Sequence, residues 1–104
     1  MAEWRDVDIA AIPAGQWDWL QSKLPAAASP NLRRLVWWAM WERNWVLSLV
    51  ETWTIELARW DDAEQARVVI RIGLDAMGRS KGAQRFVERP THEAGAMDEI
   101  AGLL

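Results

Sequence analysis

Cysteine is absent from this chain. That absence excludes disulfides, thiolate metal sites and cysteine nucleophiles together. Histidine occurs once, as His92 beside Glu93 in the C-terminal segment. A lone imidazole there is ordinarily solvated. The paired metal-binding patterns ExxH and HExxH are missing, as is the GxxxxGK spacing of a phosphate loop. Long apolar runs are missing too. The longest, Leu35 to Trp41, has seven residues, against the roughly 20 that a membrane-spanning helix needs. The opening residues MAEWRDVD carry charge where a secretion signal needs an apolar core. The expectation is a cytoplasmic protein with no membrane span, no metal, no cofactor and no catalytic set.

Lysine is scarce, with two residues against ten arginines, and the formal charge is −3. An acidic balance argues against a general nucleic-acid coat. Arginine-rich usage can mark phosphate or carboxylate recognition, and a coding preference produces the same bias.

What the chain does contain is apolar surface. It has 104 residues, 51% of them apolar and 26% charged. That is the composition of a folded globular protein of one domain. Residues 1–12 read as an N-terminal arm. Residues 13–24 read as a short helix, with Pro13 in its first turn and Trp17, Leu20 and Leu24 on one face. PAAASP is a linker closed by proline at both ends. Ser29-Pro30 is a helix start, an N-cap followed by proline at the first helical position.

No proline or glycine occurs from Asn31 to Ile72. Val46, Leu49, Val50, Trp53, Leu57 and Trp60 step by three or four, the spacing of one helix face. This predicts a long helix over 30–60, with a bend near residue 43 as the alternative. Straight, that helix measures about 46 Å at 1.5 Å per residue. A compact domain of this size is about 35 Å across, so the helix bends or projects. Asp61-Asp62 reads as a cap for a further helix over 62–77. Residues 78–104 read as a basic loop followed by a weak helix, with apolar residues at Ala94, Met97, Ile100, Leu103 and Leu104. The predicted fold class is all-α: a small helical bundle with one long Trp-rich helix, completed by oligomerisation.

Three groups of residues stand out. LVWWAMWERNW, residues 35–45, holds four tryptophans. On a helix they leave its first half apolar nearly all round, and such a helix needs cover on several sides. Trp37, Trp38, Trp41, Trp45, Trp53 and Trp60 are therefore the candidate interface, since tryptophan is enriched at binding hot spots. Glu42 falls on the same predicted stripe as Leu35, Ala39 and Val46, with Arg43 at its edge. A buried carboxylate is costly unless paired, so Glu42 and Arg43 are candidates for a buried ion pair. Arg79, Lys81, Arg85 and Arg89 form a basic stretch that is a candidate phosphate contact.

Three functions are expected from these features. The first is a non-enzymatic interaction or assembly protein acting as a helical homo-oligomer, or with another protein, through its Trp-rich surface. A phage or mobile-element morphogenetic or inhibitory protein fits that profile by analogy of size and class. The second is a small regulator touching nucleic acid through residues 79–89. The third is a ligand-binding protein or enzyme with a Trp-lined pocket around Glu42.

Overall fold

A computed structural model describes residues 3–89 of the chain. The predicted C-terminal helix lies outside the described residues. Helix α1 spans Ala14–Lys23 and helix α2 spans Pro30–Arg43. Strands β1 (Val46–Glu51), β2 (Thr54–Asp61), β3 (Ala66–Leu74) and β4 (Ser80–Glu88) follow, and they pair in the order β1-β2-β3-β4, all antiparallel. Two single turns of 3-10 helix, Trp4–Asp6 and Ile9–Ala11, precede α1. The all-α expectation is therefore wrong. The described residues form a two-layer α+β domain, with helices on one face of an antiparallel meander.

Local chemistry accounts for both ends of α2. Ser29 Oγ accepts from the Leu32 N–H at 3.2 Å, and Pro30 sits where no intrahelical donor is needed. At the other end Asn44 takes the left-handed conformation, φ 61°, and Trp45 N–H donates back to the Ala39 carbonyl at 3.0 Å. The Asn44 N–H donates to the same carbonyl, the six-to-one closure that ends a helix, and asparagine tolerates the left-handed conformation better than most side chains. The helix predicted over 30–60 thus stops at Arg43. The charged step Glu-Arg-Asn inside the tryptophan run is its terminus.

The remaining predicted helices are strands. Residues 46–61 form a hairpin turning at Thr52-Trp53, with a bulge between Leu47 and Leu49. The helix predicted over 62–77 is a turn, in which Gln65 has φ 48°, followed by β3. The basic loop is mostly β4. Cross-strand register sorts the side chains by alternation. Ile55 opposes Ile72 and Leu57 opposes Ile70, and these face the helices. They pack with Leu20, Leu24, Leu32, Val36 and Trp37 into one core, with Ile12 closing it from the N-terminal side.

One hydrogen bond ties the two layers together, and one side chain holds the linker between the helices. Ser29 N–H donates to the Gly78 carbonyl at 2.9 Å, tying the start of α2 to the β3–β4 turn. Arg33 reaches back over the linker and donates to the carbonyls of Ala28 (3.0 Å), Pro25 (3.2 Å) and Ala26 (3.3 Å). One guanidinium thereby satisfies three carbonyls of a segment with no secondary structure of its own.

The β3–β4 turn is organised by Asp75. Its carboxylate accepts from the backbone N–H of Arg79 (3.0 Å) and of Met77 (2.8 Å). The Arg79 N–H first, and then the Met77 N–H, hold the Asp75 pKa below its ordinary value of 3.8, against an opposing effect of desolvation. A depressed folded pKa gives stabilisation that is complete above the unfolded value and lost as pH falls through the folded one. The Asp75 carboxyl should therefore titrate below pH 3.8 when followed by NMR. The β3–β4 turn should loosen only in that acid range. A midpoint at or above the ordinary value would contradict the two hydrogen bonds.

Candidate functional site

The tryptophans predicted as an interface divide into two groups. Trp37, on α2, is buried, and its Nε1 donates to Gln16 Oε1 of α1 at 3.2 Å. Its ring stacks on Trp41 at 5.9 Å and 12°, and Trp41 meets Trp19 edge-on at 5.9 Å and 81°. Trp38 and Trp45 are half-buried beneath guanidinium groups, Arg43 over Trp38 and Arg59 over Trp45, each 4.9 Å from the ring centre. Arg59 Nη1 also donates to the Arg43 carbonyl at 3.1 Å, fastening β2 to the end of α2. The apolar girth of α2 is thus covered by α1, the N-terminal turns and the sheet of its own chain. Trp53 and Trp60 are different: each is half exposed, Trp53 in the β1–β2 turn and Trp60 on the sheet.

Glu42 is exposed on the last turn of α2, because the helix ends before its stripe could continue into a core. The expected burial of this carboxylate does not occur. Arg43 is spent on Trp38 and, through its carbonyl, on Arg59. Glu42 does border a cleft of about 340 Å³, whose walls include Trp37, Trp38, Glu3, Asp6 and Asp8. Two of these carboxylates already serve the arm. Asp6 accepts from the Glu3 N–H at 3.2 Å and Asp8 from the Ala10 N–H at 3.0 Å. Among the described residues there is no group of three or more His, Cys, Asp or Glu able to hold a metal ion.

The four basic residues do not converge on one site. Arg79, in the β3–β4 turn, pairs with Asp75 at 3.3 Å. Arg85 and Arg89 both reach Glu64 in the β2–β3 turn, at 3.6 and 3.0 Å. Lys81 lies on β4, its side chain against Gly73. Three of the four thus face carboxylates of the same chain.

The sheet face turned away from the helices carries a feature absent from the sequence reading. Register places Val46 opposite Ala58, Ala58 opposite Val69, and Val69 opposite Phe86. These four residues form one apolar row across all four strands. Val46 is 62% exposed and Phe86 38%, while Ala58 and Val69 are buried between them. On one side lies the row Trp60–Arg67–Glu88, on the other Leu49–Glu56–Arg71–Gln84. Arg67 pairs with Glu88 and Arg71 with Glu56, both at 2.6 Å. The Arg71 guanidinium also lies 4.9 Å from the centre of the Phe86 ring. Trp60, 50% exposed, completes the apolar surface at the β2–β3 end.

An antiparallel sheet with one solvated face ordinarily alternates apolar inside and polar outside. Here the alternation fails along one row. The signal available in the sequence was the period of two around Ala58, Val69 and Phe86, which becomes visible only once the register is known.

No family model, no curated protein and no solved structure matches the chain. No helix among the described residues is long and apolar enough to cross a membrane.

Proposed function

We propose that the protein is a non-enzymatic assembly module that pairs with a second copy of itself through the outer face of its sheet. The observation that carries this reading is the outer row Val46–Ala58–Val69–Phe86 with Trp60 beside it, in which Val46, Trp60 and Phe86 are exposed large apolar side chains and Ala58 and Val69 lie packed between them. Exposed large apolar side chains gathered on one face and rimmed by charge mark an interaction site. The rim favours a like partner. Arg67 and Arg71 balance Glu56 and Glu88, so two copies related by a two-fold axis bring acid to base with no net repulsion.

A nucleic-acid partner is less well supported. Its phosphates call for unpaired basic groups, whereas Arg79, Arg85 and Arg89 face carboxylates. A ligand pocket at Glu42 is supported by the cleft alone, where Asp6 and Asp8 cap the arm's own turns.

Sedimentation equilibrium of the full chain at micromolar concentration should give twice the chain mass of 11.9 kDa. Phe86→Asp together with Val46→Asp should return it to the chain mass, with the circular dichroism unchanged. A single-chain mass for the unaltered protein would sink the proposal, and so would a dimer that the paired substitutions leave intact.

A further inference from the structure

The outer face of the sheet is not flat. Ala58 carries a single methyl between two larger side chains, Val46 opposite it on β1 and Trp60 two residues along β2. A hollow of about 280 Å³ opens there, bounded by Val46, Ser48, Ala58, Trp60 and Arg67. Its rim is held in place from within the chain. Trp60 Nε1 donates to Asp62 Oδ1 at 3.0 Å, and Ser48 Oγ donates to the Glu56 carbonyl at 3.2 Å across the bulge.

Phe86 is the matching projection. Register sets Ala58, Val69 and Phe86 in line on β2, β3 and β4. The hollow and the ring therefore stand on opposite sides of Val69, each one strand spacing away, about 5 Å. A two-fold axis running along β3, over Val69 and between two stacked sheets, exchanges β2 with β4. It lays Phe86 of each copy over Ala58 of the other, and Val69 over its own mate. Stacked sheets lie about 10 Å apart, and such a gap fills best when large side chains face small ones. Phenylalanine on alanine beside valine on valine meets that condition. The other two-fold arrangement, with its axis along the row, sets ring on ring and methyl on methyl and leaves the hollow vacant. Arg67 and Arg71, on β3 and so near the chosen axis, each arrive with a carboxylate, Glu88 and Glu56.

We infer that the hollow over Ala58 receives the Phe86 ring of a second copy, twice per pair, and that this contact sets how the two sheets align. The inference rests on the outer-face pairing proposed above and names the contact that would give it its geometry.

Phe86 is the only phenylalanine and cysteine is absent, so two labels can be placed without ambiguity. The chain carrying 4-fluorophenylalanine is mixed with an excess of unfluorinated copies bearing a nitroxide on Ser48→Cys or on Gln84→Cys, both exposed sites. Seated in the hollow, Phe86 lies beside position 48 of the other copy and away from position 84. Its fluorine signal should be lost in the first mixture and kept in the second. Loss with the Gln84 label alone would overturn the inference and leave outer-face pairing standing, with Phe86 against β4 of the other copy. Equal loss in both mixtures would also overturn it, because the ring would then have no single seat. Loss in neither, from a protein that sediments at twice the chain mass, would overturn both readings by moving the contact off this face. A single-chain mass would remove outer-face pairing itself, and this contact with it.

Discussion

Gly78→Ala is expected to destabilise the fold by about 4 kcal/mol or more, at the extreme end for a single methyl group. Two independent causes converge on this residue. Its backbone has φ +73°, a conformation that side chains rarely adopt. An added Cβ would also fall 1.5 Å from the Ala27 carbonyl oxygen and 2.4 Å from its carbon. Those are backbone atoms, so no side chain can swing aside. The turn cannot retreat either. Gly78 N–H donates to the Asp75 carbonyl, and the Gly78 carbonyl accepts the Ser29 N–H, both at 2.9 Å. Relief of the clash would therefore break the contact between the two layers. Gly15→Ala is the matched control. It lies in α1 with nothing within 4 Å of its would-be Cβ, and should stabilise by up to about 1 kcal/mol. Urea unfolding of both variants checks the pair, and comparable stabilities would contradict the placement of the β3–β4 turn against the linker.

Leu20→Ala should cost about 3–4 kcal/mol. Leu20 is 0% exposed and is the only buried residue within α1. Truncation leaves a cavity between the helices and the sheet, and the lost contacts are not replaced because the surrounding core is anchored by strand pairing. Trp19→Ala removes a larger side chain, yet Trp19 is 44% exposed and meets Trp41 by one edge. Its cost should be smaller than that of Leu20. Denaturant midpoints with unchanged slopes would establish the order. The reverse order would mean that α1 rests on its tryptophans and not on Leu20.

The two ends of α2 mark how far the sequence could be read. Helix starts are written in local chemistry, and Ser29-Pro30 operates in the structure as a cap and first helical residue. The stop at Asn44 was hidden because asparagine is only a weak terminator and no glycine or proline follows. Once that stop is missed, the apolar spacing downstream suits a helix. Val46, Leu49, Val50, Trp53, Leu57 and Trp60 step by three and four, yet a bulge and a two-residue turn distribute them over both faces of a hairpin. The turn at Thr52-Trp53 lacks the glycine or asparagine that ordinarily announces one. The opposing signal was the density of β-branched residues at Val68, Val69, Ile70 and Ile72. Strand propensity of that kind is worth about 1 kcal/mol across its whole range, and it competed with an unbroken run free of proline and glycine.

The site was less legible than the fold. Counting tryptophans pointed to α2, where the rings prove to bind the chain to itself. The outer apolar row depends on which residue of one strand faces which residue of the next. Phe86 means little in the sequence and becomes central only when β3 places Val69 beside it. Trp60 is exposed on the outer face of β2 and does not lie on the helix stripe that suggested it.

The most direct measurement uses the tryptophans themselves. The protein labelled with 5-fluorotryptophan is followed by fluorine NMR over a dilution series, each signal assigned by single Trp→Phe substitution. Self-association through the outer sheet face predicts that the Trp60 signal moves with concentration. Trp19 and Trp53, exposed to a similar degree but off that face, should stay fixed, as should buried Trp37. A Trp60 signal independent of concentration, or movement of Trp19 or Trp53 in its place, would contradict the account.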